Sequence, residues 1–137
     1  MNKTFLDTSF VIALVNDKDR YFQTAQELSP IYVHDHLITT DAVLLEVGNA
    51  LAKDFRPEAI QIINILRRAN KTQVIEINAP LFEKALAMYQ KYQDKKWGLV
   101  DCISFVVMNE FGIKNALTTD KDSVQAGFNA LMRDAVS

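Results

Sequence analysis

The chain has 137 residues, 49% hydrophobic and 23% charged, which suits one folded domain over 1–137 with a substantial core. Its net charge of −2 offers no global basic field, so charge alone does not advertise nucleic-acid binding, although a local basic face can coexist with an acidic site. A single cysteine excludes an internal disulfide and a cysteine zinc cluster and fits a reducing compartment; with no signal peptide and no run of about 20 apolar residues, a cytoplasmic protein with no membrane span is expected.

In chain order, Lys3-Thr4-Phe5-Leu6 reads as a first strand ending at Asp7. Thr8 or Ser9 can cap a helix through Phe10–Val15, which Asn16-Asp17-Lys18-Asp19 breaks. A second helix covers about Tyr21 to Leu28, with Pro30 after its end. His36–Thr39 is the second strand, and Thr40 or Asp41 caps a helix from Ala42 to about Lys53. After the turn Asp54-Phe55-Arg56, Pro57 opens a helix with Ile60, Ile63 and Leu66 on one stripe. Val74–Ile77 is the third strand. A long amphipathic helix follows, Ala79 to Lys96, with Leu81, Phe82, Ala85, Met88, Tyr89 and Tyr92 inward. Gly98 and Gly112 bracket a helix that is apolar on nearly every face from Leu99 to Met108, as a helix buried all round would be. Asn115–Thr118 is the fourth strand, closed by Thr119-Asp120. A short helical turn, Gly127 and a last strand around Phe128 to Met132 complete the order.

Strands alternating with helices imply a three-layer α/β/α fold around a parallel sheet, and right-handed crossovers suggest the strand order 3-2-1-4-5. Strands 1 and 4 are then neighbours at the switch point, where ligands bind beyond the carboxyl ends of strands. The residues that leave those strands are Asp7 and Asp120. Glu46 shares the face of its helix with Val43 and Ala50, near the same sheet edge. Asp101 sits in the first turn of the apolar helix with no Lys or Arg within a helical turn. An unpaired buried carboxylate costs roughly several kcal/mol, so it neutralises, pairs or binds a cation. Four converging carboxylates would repel and raise one another's pKa values, which a hard divalent cation relieves. Mg²⁺ or Mn²⁺ takes oxygen ligands, commonly a few carboxylates plus substrate phosphate. Two such ions ~3.5–4 Å apart would activate a water and stabilise the leaving oxygen of a phosphodiester.

Four stretches carry a family resemblance: Phe5-Leu6-Asp7-Thr8-Ser9; Thr39-Thr40-Asp41-Ala42-Val43-Leu44-Leu45-Glu46-Val47-Gly48-Asn49-Ala50-Leu51; Leu99-Val100-Asp101-Cys102-Ile103-Ser104; and Ala116-Leu117-Thr118-Thr119-Asp120-Lys121-Asp122. In this order the chain resembles the PIN-domain ribonucleases, most closely the toxin-like, VapC-like branch of bacterial toxin–antitoxin pairs. The resemblance implies a metal-dependent endoribonuclease acting on RNA, with Asp7 and Asp101 as the most direct ligands and Glu46 and Asp120 completing the site. It also implies a homodimer and a small antitoxin whose tail blocks the site. One departure is Ser123, which stands where the family often carries a Phe and is read as a packing position.

Around the acids, Thr8, Ser9, Asn49 and Thr119 are expected to support the carboxylates or position a phosphate, and Asp122 adds a fifth acid that either touches a second metal or faces water. Each acid also has a plainer role: Asp7 and Asp120 as helix caps, Glu46 as a boundary residue, Asp101 as a favourable charge at a helix start. His34 and His36 alternate on one face without a third ligand and read as surface histidines; Cys102 reads as a core filler. Trp97 reads as packed, with base stacking as the alternative. Lys53, Arg56, Arg67, Arg68, Lys71, Lys91, Lys95 and Lys96 are candidates for an RNA path. Two other functions remain open: a phosphate-transfer or receiver-type domain, and a non-catalytic module that binds metal to fold or to dock a partner.

Overall fold

The computed structural model describes residues 2–32 and 34–136. Its elements run β1 (Lys3–Leu6), α1 (Thr8–Val15), α2 (Phe22–Tyr32), β2 (His36–Thr40), α3 (Asp41–Ala50), α4 (Arg56–Arg68), β3 (Thr72–Ile75), α5 (Ala79–Lys91), α6 (Leu99–Phe111), β4 (Asn115–Leu117), α7 (Lys121–Gln125), β5 (Asn129–Ala130) and α8 (Leu131–Val136). The five strands form one parallel sheet in the order β3-β2-β1-β4-β5, the order expected. The chain steps from β1 to β2 to β3 in one direction, then crosses back to β4 on the far side of β1. Right-handed crossovers therefore place α1–α4 on one face of the sheet and α5–α6 on the other.

The centre of the molecule is apolar. Phe5, Leu6, Ile38, Ala116 and Leu117 of the sheet are buried. So is every residue of α6 from Cys102 to Met108, which makes α6 the helix buried all round that its composition predicts. Gly112 closes α6 at φ 67°, a left-handed conformation that suits a residue without Cβ. Thr40 caps α3, its Oγ1 accepting from the Val43 N–H at 3.2 Å, and Asn78 caps α5 in the same way.

Several boundaries differ from the sequence reading, each for a local reason. Helix α1 is capped by Asp7 rather than by Thr8 or Ser9, and no side-chain hydrogen bond accompanies that cap. Helix α2 runs through Pro30 to Tyr32; in the last turn a proline removes only one backbone hydrogen bond. Helix α3 ends at Ala50, because the Leu51 N–H is shared between the Val47 and Asn49 carbonyls as the chain tightens into the turn before α4. On α4 Leu66 is buried and Ile63 packs against the core as expected, with Ala59 buried beside them, while Ile60 is exposed. Strand β3 starts two residues earlier than expected. Thr72–Ile75 pair with Leu37–Thr40, and the Ile77 N–H is instead drawn to the Asp41 carboxylate, at 3.1 and 3.2 Å to its two oxygens. Helix α5 stops at Lys91, where Tyr92 leaves helical geometry, and its Phe82 and Tyr89 face outward. The last strand is only Asn129–Ala130, and α8 follows with the Met132 N–H donating to the Thr118 carbonyl. Ser123 is indeed a packing position: it is buried, and the Phe128 N–H donates to its carbonyl.

Candidate active site

The ladder between β1 and β4 pairs Leu6 with Leu117, so the next residues, Asp7 and Thr118, leave the sheet side by side. The Asp7 N–H still donates to the Leu117 carbonyl at 3.2 Å. The Thr118 hydroxyl donates to Asp7 Oδ2 at 2.7 Å, and the Ser9 hydroxyl reaches the same oxygen at 3.4 Å. Ser9 Oγ lies 3.2 Å from Thr118 Oγ1 and accepts the Thr119 N–H at 3.0 Å. Thr118 Oγ1 in turn accepts the Asp120 N–H at 3.1 Å. Strand ends, hydroxyls and backbone thus form one network that fixes Asp7 and the start of α7.

Asp101, Asp120 and Asp122 arrive from helix starts. Asp101, the third residue of α6, accepts the Gly98 N–H on Oδ2 at 2.9 Å. Asp120 caps α7, with Oδ1 accepting the Asp122 N–H at 2.9 Å. One carboxylate oxygen from each of Asp101, Asp120 and Asp122 lies within 4.8 Å of the others. Glu46, on α3, is exposed, and its Oε1 accepts the Thr8 hydroxyl at 2.8 Å. Asp7, Thr8, Ser9, Glu46, Asp101, Thr119 and Asp120 line a single open cleft, with Ile12, Lys121 and Arg133 completing its walls.

The electrostatics are those of crowded acids. Burial pushes the Asp7 carboxyl above its usual range; the Thr118 hydrogen bond opposes this, and Asp120 and Glu46 add repulsion. Burial also drives Asp101 up to about 6; Gly98 holds it down in part, while Asp120, Asp7 and Asp122 repel it. Asp122 is raised by burial and by Asp120, against the pull of Lys121 and Lys96. Among the described residues the ion pairs join Lys84 to Glu110 and Lys95 to Asp94, and none involves the cleft acids. An all-oxygen set of uncompensated carboxylates fits a hard divalent cation such as Mg²⁺ or Mn²⁺.

The four expected acids therefore come together. Glu46 does so from an exposed position, not from a buried stripe: Ala50 beside it is exposed too, and the buried residues of α3 are Ala42, Val43, Leu44 and Val47. Thr8, Ser9 and Thr119 stand at the cleft as expected, and Asp122 joins Asp101 and Asp120. Asn49 is exposed on α3 and is not among the lining residues. His34 and His36 lie outside the acidic cluster, Cys102 is buried within α6, and Trp97 is packed. Thr118, Lys121 and Arg133 were not anticipated. The signal for Thr118 lay in the strand register, since the residue after Leu117 must stand beside the residue after Leu6. Arg133 reaches the cleft from α8, an unpredicted helix, and Nη1 donates to the Thr119 carbonyl at 3.2 Å.

Comparison with known proteins agrees with this geometry. Residues 4–129 match the PIN domain family. The chain is 31% identical over 128 residues to the 23S rRNA-specific endonuclease VapC20 of Mycobacterium tuberculosis, found in two strains, covering 90% of this chain and 94% of the relative. A crystal structure of M. tuberculosis VapC20, described as a sarcin–ricin loop cleaving toxin, superposes with a TM-score of 0.85 at 30% identity, over 93% of this chain and 97% of that one.

Proposed function

The chain belongs to the PIN-domain family, and from that premise we propose that it is an endoribonuclease that hydrolyses RNA phosphodiester bonds with Mg²⁺ or Mn²⁺, acting as the toxin of a toxin–antitoxin pair. The observation that carries this reading is the convergence of Asp7, Glu46, Asp101 and Asp120 on one cleft at the β1/β4 switch point. In this reading the RNA substrate, a small antitoxin protein, a homodimeric state and a cytoplasmic setting follow the family pattern.

Asp101 and Asp120, with Asp122 within 4.8 Å of both, would hold the cation, and Asp7, which lines the same cleft, would complete its oxygen ligands. When bound, the ion supplies charge neutralisation and Lewis acidity toward the phosphate. The chain's own groups do the rest. Thr118 and Ser9 orient Asp7, and the Gly98 N–H orients Asp101, so little reorganisation is needed when substrate arrives. Glu46, whose Oε1 accepts the Thr8 hydroxyl, would complete the site or hold a metal-bound water. Lys121 and Arg133 bring positive charge to a cleft that otherwise repels a phosphate. In the reaction the water oxygen bonds to phosphorus and the water gives up a proton, one phosphoester P–O bond breaks, and the departing sugar oxygen takes up a proton.

The test is cleavage of a mixed RNA pool by the purified protein with Mn²⁺ or Mg²⁺, with EDTA, and beside Asp101→Asn. Metal-dependent cutting that the variant loses is the expected result. Undiminished cutting by Asp101→Asn would overturn the site. No cutting by the wild type, with metal still raising the melting temperature, would point to a binding module instead.

A further inference from the structure

A second cleft adjoins the acidic one without sharing its acids. It lies where α5 ends and α6 begins, and its walls include Tyr89, Tyr92, Lys95, Lys96, Trp97 and Gly98. Gly98 joins the two clefts, because its N–H is the donor to Asp101 Oδ2. Whatever sits in the second cleft therefore lies beside a proposed cation ligand.

The floor of this cleft is stiff. Trp97 is buried, with its ring 5.1 Å from that of Tyr92 and edge-on to Phe105 at 5.2 Å. Its indole N–H donates to Gln125 Oε1 at 3.3 Å, on the same helix, α7, that carries Asp122. Lys91 Nζ stands 5.3 Å over the Tyr92 ring. Tyr92 and Trp97 are thus committed to the fold. Tyr89, one turn earlier on the same side of α5, is 48% exposed and offers ring surface to solvent. Lys95, its side chain 35% exposed, pairs with the exposed Asp94 at 3.5 Å, a contact that water and salt weaken. An exposed aromatic ring flanked by lysines is the arrangement that holds single-stranded nucleic acid: bases stack and cations meet the backbone. The acidic cleft itself repels a polyanion, so grip on the substrate has to come from such flanking groups.

We propose that this cleft is a nucleobase subsite, in which Tyr89 stacks on a base of single-stranded RNA next to the bond that is cut while Lys95 and Lys96 hold the adjoining phosphates. The proposal rests on the endoribonuclease reading for its reaction, but its binding can be followed separately. The chain has a single tryptophan, so the tryptophan emission comes from Trp97 in the wall of this cleft, and its dependence on Tyr89 is what assigns a change to the subsite.

The experiment has two arms on the full chain. In the first, a short single-stranded RNA oligonucleotide is titrated into protein in EDTA while Trp97 emission is followed. In the second, steady-state cleavage of the same oligonucleotide is measured with Mn²⁺. Tyr89→Ala should abolish the saturable emission change and raise KM on the order of tenfold, with the loss in KM rather than kcat. Tyr89→Phe, which keeps the ring, should behave as the wild type, and Lys95→Ala with Lys96→Ala should flatten the salt dependence of binding. A wild type that cleaves, together with a Tyr89→Ala variant whose KM and emission response are unchanged, would overturn the subsite. A wild type that shows the Tyr89-dependent emission change but never cleaves would uphold the subsite and overturn the nuclease reading. No emission change in any protein would overturn the subsite whether or not cleavage is seen.

Discussion

Thr118 shows how much one hydroxyl can decide. It is fully buried, donates to Asp7 and accepts from the Asp120 backbone, so it ties two acids from distant parts of the chain. Thr118→Val keeps the shape and removes both bonds. Activity or metal affinity should fall about 10–100-fold, checked by cleavage rate and by calorimetric titration with Mn²⁺. Asp101 carries a different prediction. Its folded pKa is raised to about 6 from 3.8, so between those values the folded chain binds more protons than the unfolded one. The contribution of this group to stability is therefore greatest below 3.8 and falls as pH rises to about 6. Asp101→Asn should melt higher than the wild type above pH 6 in EDTA, and the gain should vanish in acid. Melting curves across pH check this; a gain that grows toward acid would contradict it. Asp101 was conspicuous in the sequence as a lone carboxylate among apolar neighbours. Thr118 was not, because its role depends on which residue of β1 stands beside it.

At the scale of elements, helix starts deliver much of the chemistry. Asp101 opens α6, Asp120 caps α7, and Asp7 stands before α1. The capping and functional readings of these acids do not exclude each other: the same backbone N–H groups that end a helix also aim a carboxylate. Helix types and order were legible because apolar periodicity and glycine stops are local signals. Ends were less legible because tertiary contacts set them. Strand β3 shifts as Ile77 turns to Asp41, and α5 stops where Tyr92 turns to meet Trp97. Glu46 was legible as a site residue but for the wrong reason, since its side of α3 faces the cleft instead of the core. Asp41→Ala should remove the anchor for Ile77 and lower stability by about 1–2 kcal/mol, measured by denaturant unfolding. Thr40→Ala, which deletes the α3 cap, should cost about 1 kcal/mol by the same measure.

For the molecule as a whole, the acidic cleft is a store of repulsion that a cation releases. Binding to the folded chain alone should stabilise it by about 2.7 kcal/mol at roughly a hundredfold excess over Kd. Scanning calorimetry should show Mn²⁺ raising Tm and EDTA reversing it; an unmoved Tm would argue against the cation site. The sheet order was legible because crossovers have one hand and the strands alternate with helices. Helix α8 and its Arg133 were not, because a six-residue segment at the end of the chain carries too little periodicity to identify.

The position of β4 beside β1 also orders events in time. Asp7 leaves the ribosome early, but the acids Asp101 and Asp120 and its partner Thr118 follow only 94 to 113 residues later. A nascent chain can already pair β1, β2 and β3 while its cleft lacks two of four acids and the hydroxyl that aims a third. Synthesis itself therefore acts as a safety catch on the proposed activity: the cleft stays incomplete until Asp101, Thr118 and Asp120 have been made.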